Sequence, residues 1–176
     1  CLDLRCVARF VLFRYARTKP STQLRPLSGA LAVNAYHRMK IGSEEEYIEI
    51  EELERNPEGS PCAGDVNVRI TLSLQAFAGV YDGVWIEQSV MKKFIVELEK
   101  LDEKRSGMAR VSSMSPEEFV FEIRSSDSLG HMEIEVQLHR HQYSGPKYWP
   151  IYLKGGFEAQ PETIVQLMSC FKKLAN

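Results

Sequence analysis

The sequence has no apolar run near the roughly 18 residues that a membrane-spanning helix needs. Its most apolar early stretch, Phe10–Phe13, is closed off by Arg9 and Arg14 and is too short for the core of a secretory signal. Cysteine is scarce. Cys1, Cys6, Cys62 and Cys170 form no spaced pairs of the kind a zinc site uses, and free thiols of a reducing compartment are the expectation. Cys170 falls on a helical stripe and reads as a small core residue. The marks of catalysis are missing too. Ser43, Ser89 and Ser169 have no nucleophile-elbow context, and Cys62 has no histidine near it in sequence. Gly64, Gly79 and Gly83 do not make a phosphate-binding fingerprint. There are no internal repeats.

What is present divides by charge. Residues 1–38 hold seven basic residues and Asp3, a net of +6, whereas residues 39–176 hold 15 basic and 23 acidic residues, a net of −8. The first part is read as a non-native or poorly ordered N-terminal extension. Pro20, Pro26 and its loose Ser/Thr content fit that, as does the change of composition at Met39, taken here as the natural start. Residues 39–176 are long enough for one domain with a real core. Their acidity disfavours direct nucleic-acid binding, which needs a positive face.

The longest clean alternation is Gly130–Tyr143. Met132, Ile134, Val136 and Leu138 fall on one face, and His131, Glu133, Glu135, Gln137 and His139 on the other. That two-residue period predicts a central antiparallel strand with one wet face. Strands are also predicted at Tyr47–Glu51 with Ile48 and Ile50 inward, and at Val66–Ala76. Another spans about Ala78–Ile86, with Val80, Val84 and Ile86 inward and Tyr81 and Trp85 on the opposite face. A weaker run covers Met108–Ser113, and Glu118–Arg124 is a strand with Phe119, Phe121 and Ile123 inward. Tyr148–Phe157 closes the set, with Trp149, Ile151, Leu153 and Phe157 inward. Pro150 argues for an edge there, and Gly155-Gly156 reads as a turn or bulge. Ser89–Arg105 changes to helical spacing, with Ser89 as N-cap and Gly107 closing the helix. Ile164, Leu167, Met168, Phe171 and Leu174 stripe a second helix, whose first turn suits Pro161. The expected fold class is α+β: a mainly antiparallel sheet of about six to seven strands with two amphipathic helices packed on it.

Two clusters could carry chemistry. His131, His139 and His141 would share a strand face, where histidines can bind metal if a second shell orients them. Set against this is the ordinary solvated face of a strand. Glu44, Glu45, Glu46, Glu49 and Glu51 form an acidic run too numerous and too exposed for paired acid–base work. Its negative field would instead steer a basic partner. Tyr81 and Trp85 are candidate aromatic anchors beside it. No catalytic residue, metal or cofactor is assigned.

From Met39 onward the order of parts resembles the WapI-type family of small bacterial immunity proteins. The resemblance lies in a strand of the kind at Tyr47–Ile50, then FAGVYDGVWI (77–86), the helix MKKFIVELEKLDEKRSG (91–107), FVFEI (119–123), GHMEIEVQL (130–138) and LKGGFEAQPETIVQLM (153–168). At the entry to the last helix the family often has an Asp-Gln-Thr-Tyr-like sequence. Here Ala159-Gln160-Pro161-Glu162 retains only Gln160. The resemblance implies a non-enzyme in the cytoplasm of the producing cell. Its partner would be the C-terminal domain, often a nuclease, of a cognate contact-delivered polymorphic toxin, with no membrane association. The alternatives are a metal-dependent enzyme on the histidine face and a small-ligand-binding domain with a cavity between sheet and helices.

Overall fold

The computed structural model describes residues 37–176. The fold is α+β, with eight antiparallel strands in two four-stranded sheets and two helices. The first sheet has the order β1 (Arg38–Gly42), β2 (Glu46–Arg55), β3 (Val66–Leu74), β4 (Phe77–Ile86). Helix α1 (Gln88–Lys104) follows. The second sheet has the order β5 (Met108–Ser112), β6 (Phe119–Ser125), β7 (Met132–Ser144), β8 (Lys147–Ala159), and α2 (Thr163–Leu174) closes the chain order. Residues 1–36, most of the stretch expected to be an extension, lie outside the described residues. Arg38, placed by sequence in that stretch, belongs to β1.

The alternating runs do what their period requires. Ile48 and Ile50 of β2, Val66, Val68, Ile70 and Leu72 of β3, Phe119, Phe121 and Ile123 of β6, and Met132, Ile134, Val136 and Leu138 of β7 all face one core. Strand β7 is interior to its sheet, as expected of the longest alternation. Phe94 of α1 joins the layers, meeting Phe121 edge-on at 5.8 Å and Phe171 of α2 at 4.7 Å between ring centres. Edge-to-face pairs of this kind add to area burial.

Several expectations are corrected. A single sheet of six or seven strands becomes two sheets of four. The added strand is β1, whose five residues bury only Met39 and Ile41 and so leave a short signal. In β4 the register against β3 shifts between Val68 and Ile70, so Val84 faces Val68 while Tyr81 faces Ile70. An extra residue in a ladder reverses which side faces inward. Val84 and Ile86 are buried as expected, but Val80 is 63% exposed and Tyr81 packs against the core. Ser89 does not cap α1. The helix starts at Gln88, whose N–H donates to Asp65 Oδ1 at 2.9 Å. Arg105, with φ of 51°, takes the left-handed cap in place of Gly107. Gly155 and Gly156 lie within β8, not in a turn.

Strand β8 crosses the first sheet at close quarters. A Cβ on Gly155 would stand 2.5 Å from Leu74 Cδ1, and one on Gly79 would stand 3.0 Å from Leu153 Cδ2. The missing side chains let the two sheets approach. Beyond Gly79, Val80 and Tyr81 of edge strand β4 still flank Arg140 and Ile151, and the exposed ends of β7 and β8 run on past them.

Candidate functional site

Strand β6 pairs with β7 only from Met132 to Leu138. From His139 to Ser144, β7 has β8 as its one partner in the ladder, with His139 opposite Tyr152 and Ser144 opposite Lys147. The result is a two-stranded ribbon of about 20 Å, six residues at roughly 3.4 Å each. Every residue from Arg140 to Tyr152 is exposed. Trp149 and Ile151, expected inward, are 54% and 51% exposed. Their alternation is intact, but the first sheet reaches only Ile151, through Val80 and Tyr81, and leaves both side chains half exposed.

Alternation still gives the ribbon two faces. One carries His139, His141 and Tyr143 with Tyr148 and Tyr152. Their rings stack edge to face: His139–His141 at 4.5 Å, His141–Tyr148 at 4.8 Å and Tyr143–Tyr148 at 5.6 Å between centres. The other face carries Arg140, Gln142, Trp149 and Ile151. From Val136 to Phe157 there is no acidic residue, while Arg140, Lys147 and Lys154 are basic. The alternation places this stretch in strands but predicts its apolar residues inward, and Trp149 and Ile151 are open instead. The available signal was that run of 22 residues without a carboxylate, rich in Tyr, Trp and His.

Tyr81 roots the ribbon to β4. Its hydroxyl donates to Glu118 Oε1, and the Arg140 guanidinium lies over its ring at 5.3 Å. Burial pushes the Tyr81 phenol up to about 12, with the Glu118 hydrogen bond adding to the effect and Arg140 opposing it. Beside it a hollow of about 170 Å³ is lined by Val80, Tyr81, Arg140, Ile151 and Leu153.

The acidic candidates separate. Glu49 is held by Arg38 at 2.8 Å, and Glu51 by Arg69 at 3.1 Å. Arg69 also grips Asp82 at 2.5 Å across the β4 bulge and holds that carboxyl below its ordinary range. The outer face of β2 is thus a ladder of paired charges. Glu44, Glu45 and Glu46 stand at the β1–β2 turn, and Glu46 accepts from Gln75 Nε2. Among the described residues none of the three has an ion-pair partner. Trp85 is half-buried, opposite Asn67, and does not join Tyr81 in one surface.

The three histidines are not brought together. His131 precedes β7, where its Nδ1 lies 2.5 Å from Asp127 Oδ2. His139 lies eight residues further along an extended strand, roughly 27 Å away. The metal-site reading fails on that separation, and no group of three metal-ligating side chains occurs among the described residues. The space between the sheets and the helices is filled by Phe94, Leu98, Phe121 and Phe171, not by a ligand cavity. A surface hollow of about 360 Å³ lies instead among Gly42, Glu46, Phe157, Glu158 and Glu162.

Comparison with known proteins gives one family match: the model of the immunity protein WapI-like family covers residues 38–175. No curated protein and no solved structure matches. Among the described residues no helix is long and apolar enough to cross a membrane.

Proposed function

The chain belongs to the WapI-like immunity protein family, and from that premise we propose that it binds and neutralises the toxic C-terminal domain of a cognate contact-delivered toxin. It acts by occupying a surface and performs no reaction. The observation that carries this reading is the extent of the family match, from the first described strand to the end of α2.

The placement of ionisable side chains supports a binding role. Arg124 is shared among Glu133, Glu122 and Glu135 on the outer face of the second sheet, and Lys154 joins Glu135 at 2.6 Å. These groups are occupied with one another on an exposed face. The acidic corner Glu44–Glu46 gives a basic partner a field to follow, which raises association rate more than affinity. Glu49 and Glu51 contribute less to that field because Arg38 and Arg69 offset them. Tyr81 contributes from beneath the ribbon, and Trp85 adds its partly open edge. The partner is a protein met inside the cell.

The test is co-expression and pulldown with the toxin domain encoded beside this gene, together with an assay of that domain's toxicity. The expected result is a stable complex and restored growth. Absence of both with every adjacent toxin domain would remove the reading.

A further inference from the structure

Resting on that reading, we infer that the β7–β8 ribbon, Arg140–Tyr152, is the docking element, and that it enters a concave cleft of the toxin domain whose walls carry carboxylates. Three features of the ribbon lead there.

The first is exposure on both faces. Trp149 and Ile151 are half-exposed on one side, and Tyr143, Tyr148 and Tyr152 on the other. A flat partner would cover only one face. A cleft that closes around the ribbon covers both. An isolated two-stranded hairpin has marginal stability in water, and its apolar residues need a cover. Thirteen exposed residues on two faces offer area on the order of the 800 Å² per partner that specific complexes use. The Trp, Tyr and Arg content matches that of interface hot spots.

The second feature is charge. Arg140 and Lys147 stand on the ribbon with no carboxylate between Val136 and Phe157. A basic wall would be repelled, and an acidic wall attracted. Clefts that hold catalytic divalent cations are lined by carboxylates. A ribbon seated in one would cover the reacting centre.

The third feature is the geometry of the rings. They meet one another edge to face, at 62° to 81° between planes, instead of presenting a row of open faces. Successive bases of a single strand need such open faces. Residues 37–176 are moreover net negative, 16 basic against 23 acidic. A protein cleft therefore fits better than nucleic acid. A two-fold pairing of ribbons would set Arg140 and Lys147 against like charges in a second copy.

The experiment uses the full chain and the adjacent toxin domain, with affinity measured by calorimetry. Trp149→Ser and Tyr152→Ser should each weaken binding about 30-fold or more. Arg140→Glu should weaken it more than Arg140→Gln. Glu44→Lys should chiefly slow association. Hydrogen exchange of the unaltered chain should slow across residues 139–152 on complex formation, which reads the contact even if a variant folds poorly. Ribbon variants binding within about threefold of the parent, with no exchange protection there, would overturn the inference and leave the binding role standing. Failure of the parent chain to bind would remove both. Oligonucleotide binding or dimerisation that Trp149→Ser abolishes would assign the ribbon to another occupant.

Discussion

A Cβ on Gly156 would overlap the carbonyl oxygen of Ile134 on the neighbouring strand β7. The obstacle is backbone within the β7–β8 ladder, so no side chain can rotate to relieve it. Gly156→Ala should therefore cost about 1–3 kcal/mol, in line with other overpacked sites. Gly155→Ala should cost less, because its nearest neighbour is the far end of the half-buried Leu74 side chain. Urea unfolding of the two variants checks the order. Equal stabilities would mean that the strands part easily at this point.

Phe94 is fully buried and meets a ring from the second sheet and a ring from α2. Removing it leaves a cavity where three elements meet. Phe94→Ala should lose about 3–5 kcal/mol. Val96, two residues on and 47% exposed, is the control, and Val96→Ala should change stability by no more than about 0.5 kcal/mol. Denaturation midpoints with an unchanged slope would show that the loss is in packing.

Glu52 is a buried carboxylate on the core face of β2. Unbroken alternation from Ile48 and Ile50 puts it there, just before the register shift that follows Glu52. Arg55 satisfies it with two hydrogen bonds of 2.9 Å and donates a third to the Leu174 carbonyl at the end of α2. One guanidinium thus ties the first sheet to the last helix. Arg55→Ala leaves the carboxylate unpaired and should cost about 2 kcal/mol. Arg55→Lys, which cannot form the planar fork, should recover only part of that. Thermal unfolding of the two variants separates charge from geometry.

The alternating strands, both helices and the α+β class were legible because period-2 and period-3.6 patterns report directly which face is apolar. What the pattern does not report is whether anything covers that face. Trp149 and Ile151 continue the phase of Leu153 and Phe157, yet they stand past the end of β6, with only Val80 and Tyr81 of β4 beside Ile151. Bulges are equally silent. The one at Asp82-Gly83, opposite Arg69, turned Val80 outward and Tyr81 inward without altering any residue type. The His131, His139, His141 trio looked like a cluster because a strand keeps face but not distance. The acidic run was readable as a run, but not its division into Glu49 and Glu51, paired by arginines distant in sequence, and the open corner at Glu44–Glu46.

His131 and Asp127 give a pH signature distinct from any partner contact. The hydrogen bond and charge of Asp127 raise the His131 pKa above its ordinary 6.5, with Glu158 adding a smaller pull. The same hydrogen bond, with further ones from the His131 and Leu129 N–H groups, lowers the Asp127 carboxyl below its ordinary 3.8. A raised histidine stabilises the fold fully below 6.5, and that contribution fades as pH rises through the folded value. A lowered carboxyl stabilises it above 3.8, and that contribution fades as pH falls through its folded value. The two overlap between about pH 4 and 6.5, so the stability gap between the parent and His131→Gln should be widest there and shrink on both sides. Both groups are exposed, so salt should narrow the gap. Unfolding temperatures from pH 3 to 9 at low and high salt provide the measurement. A gap flat across that range would show that His131 acts through packing at the β6–β7 turn and not through its charge. Because His131 sits at the opposite end of β7 from the ribbon, the same substitution should leave toxin binding unchanged at pH 7.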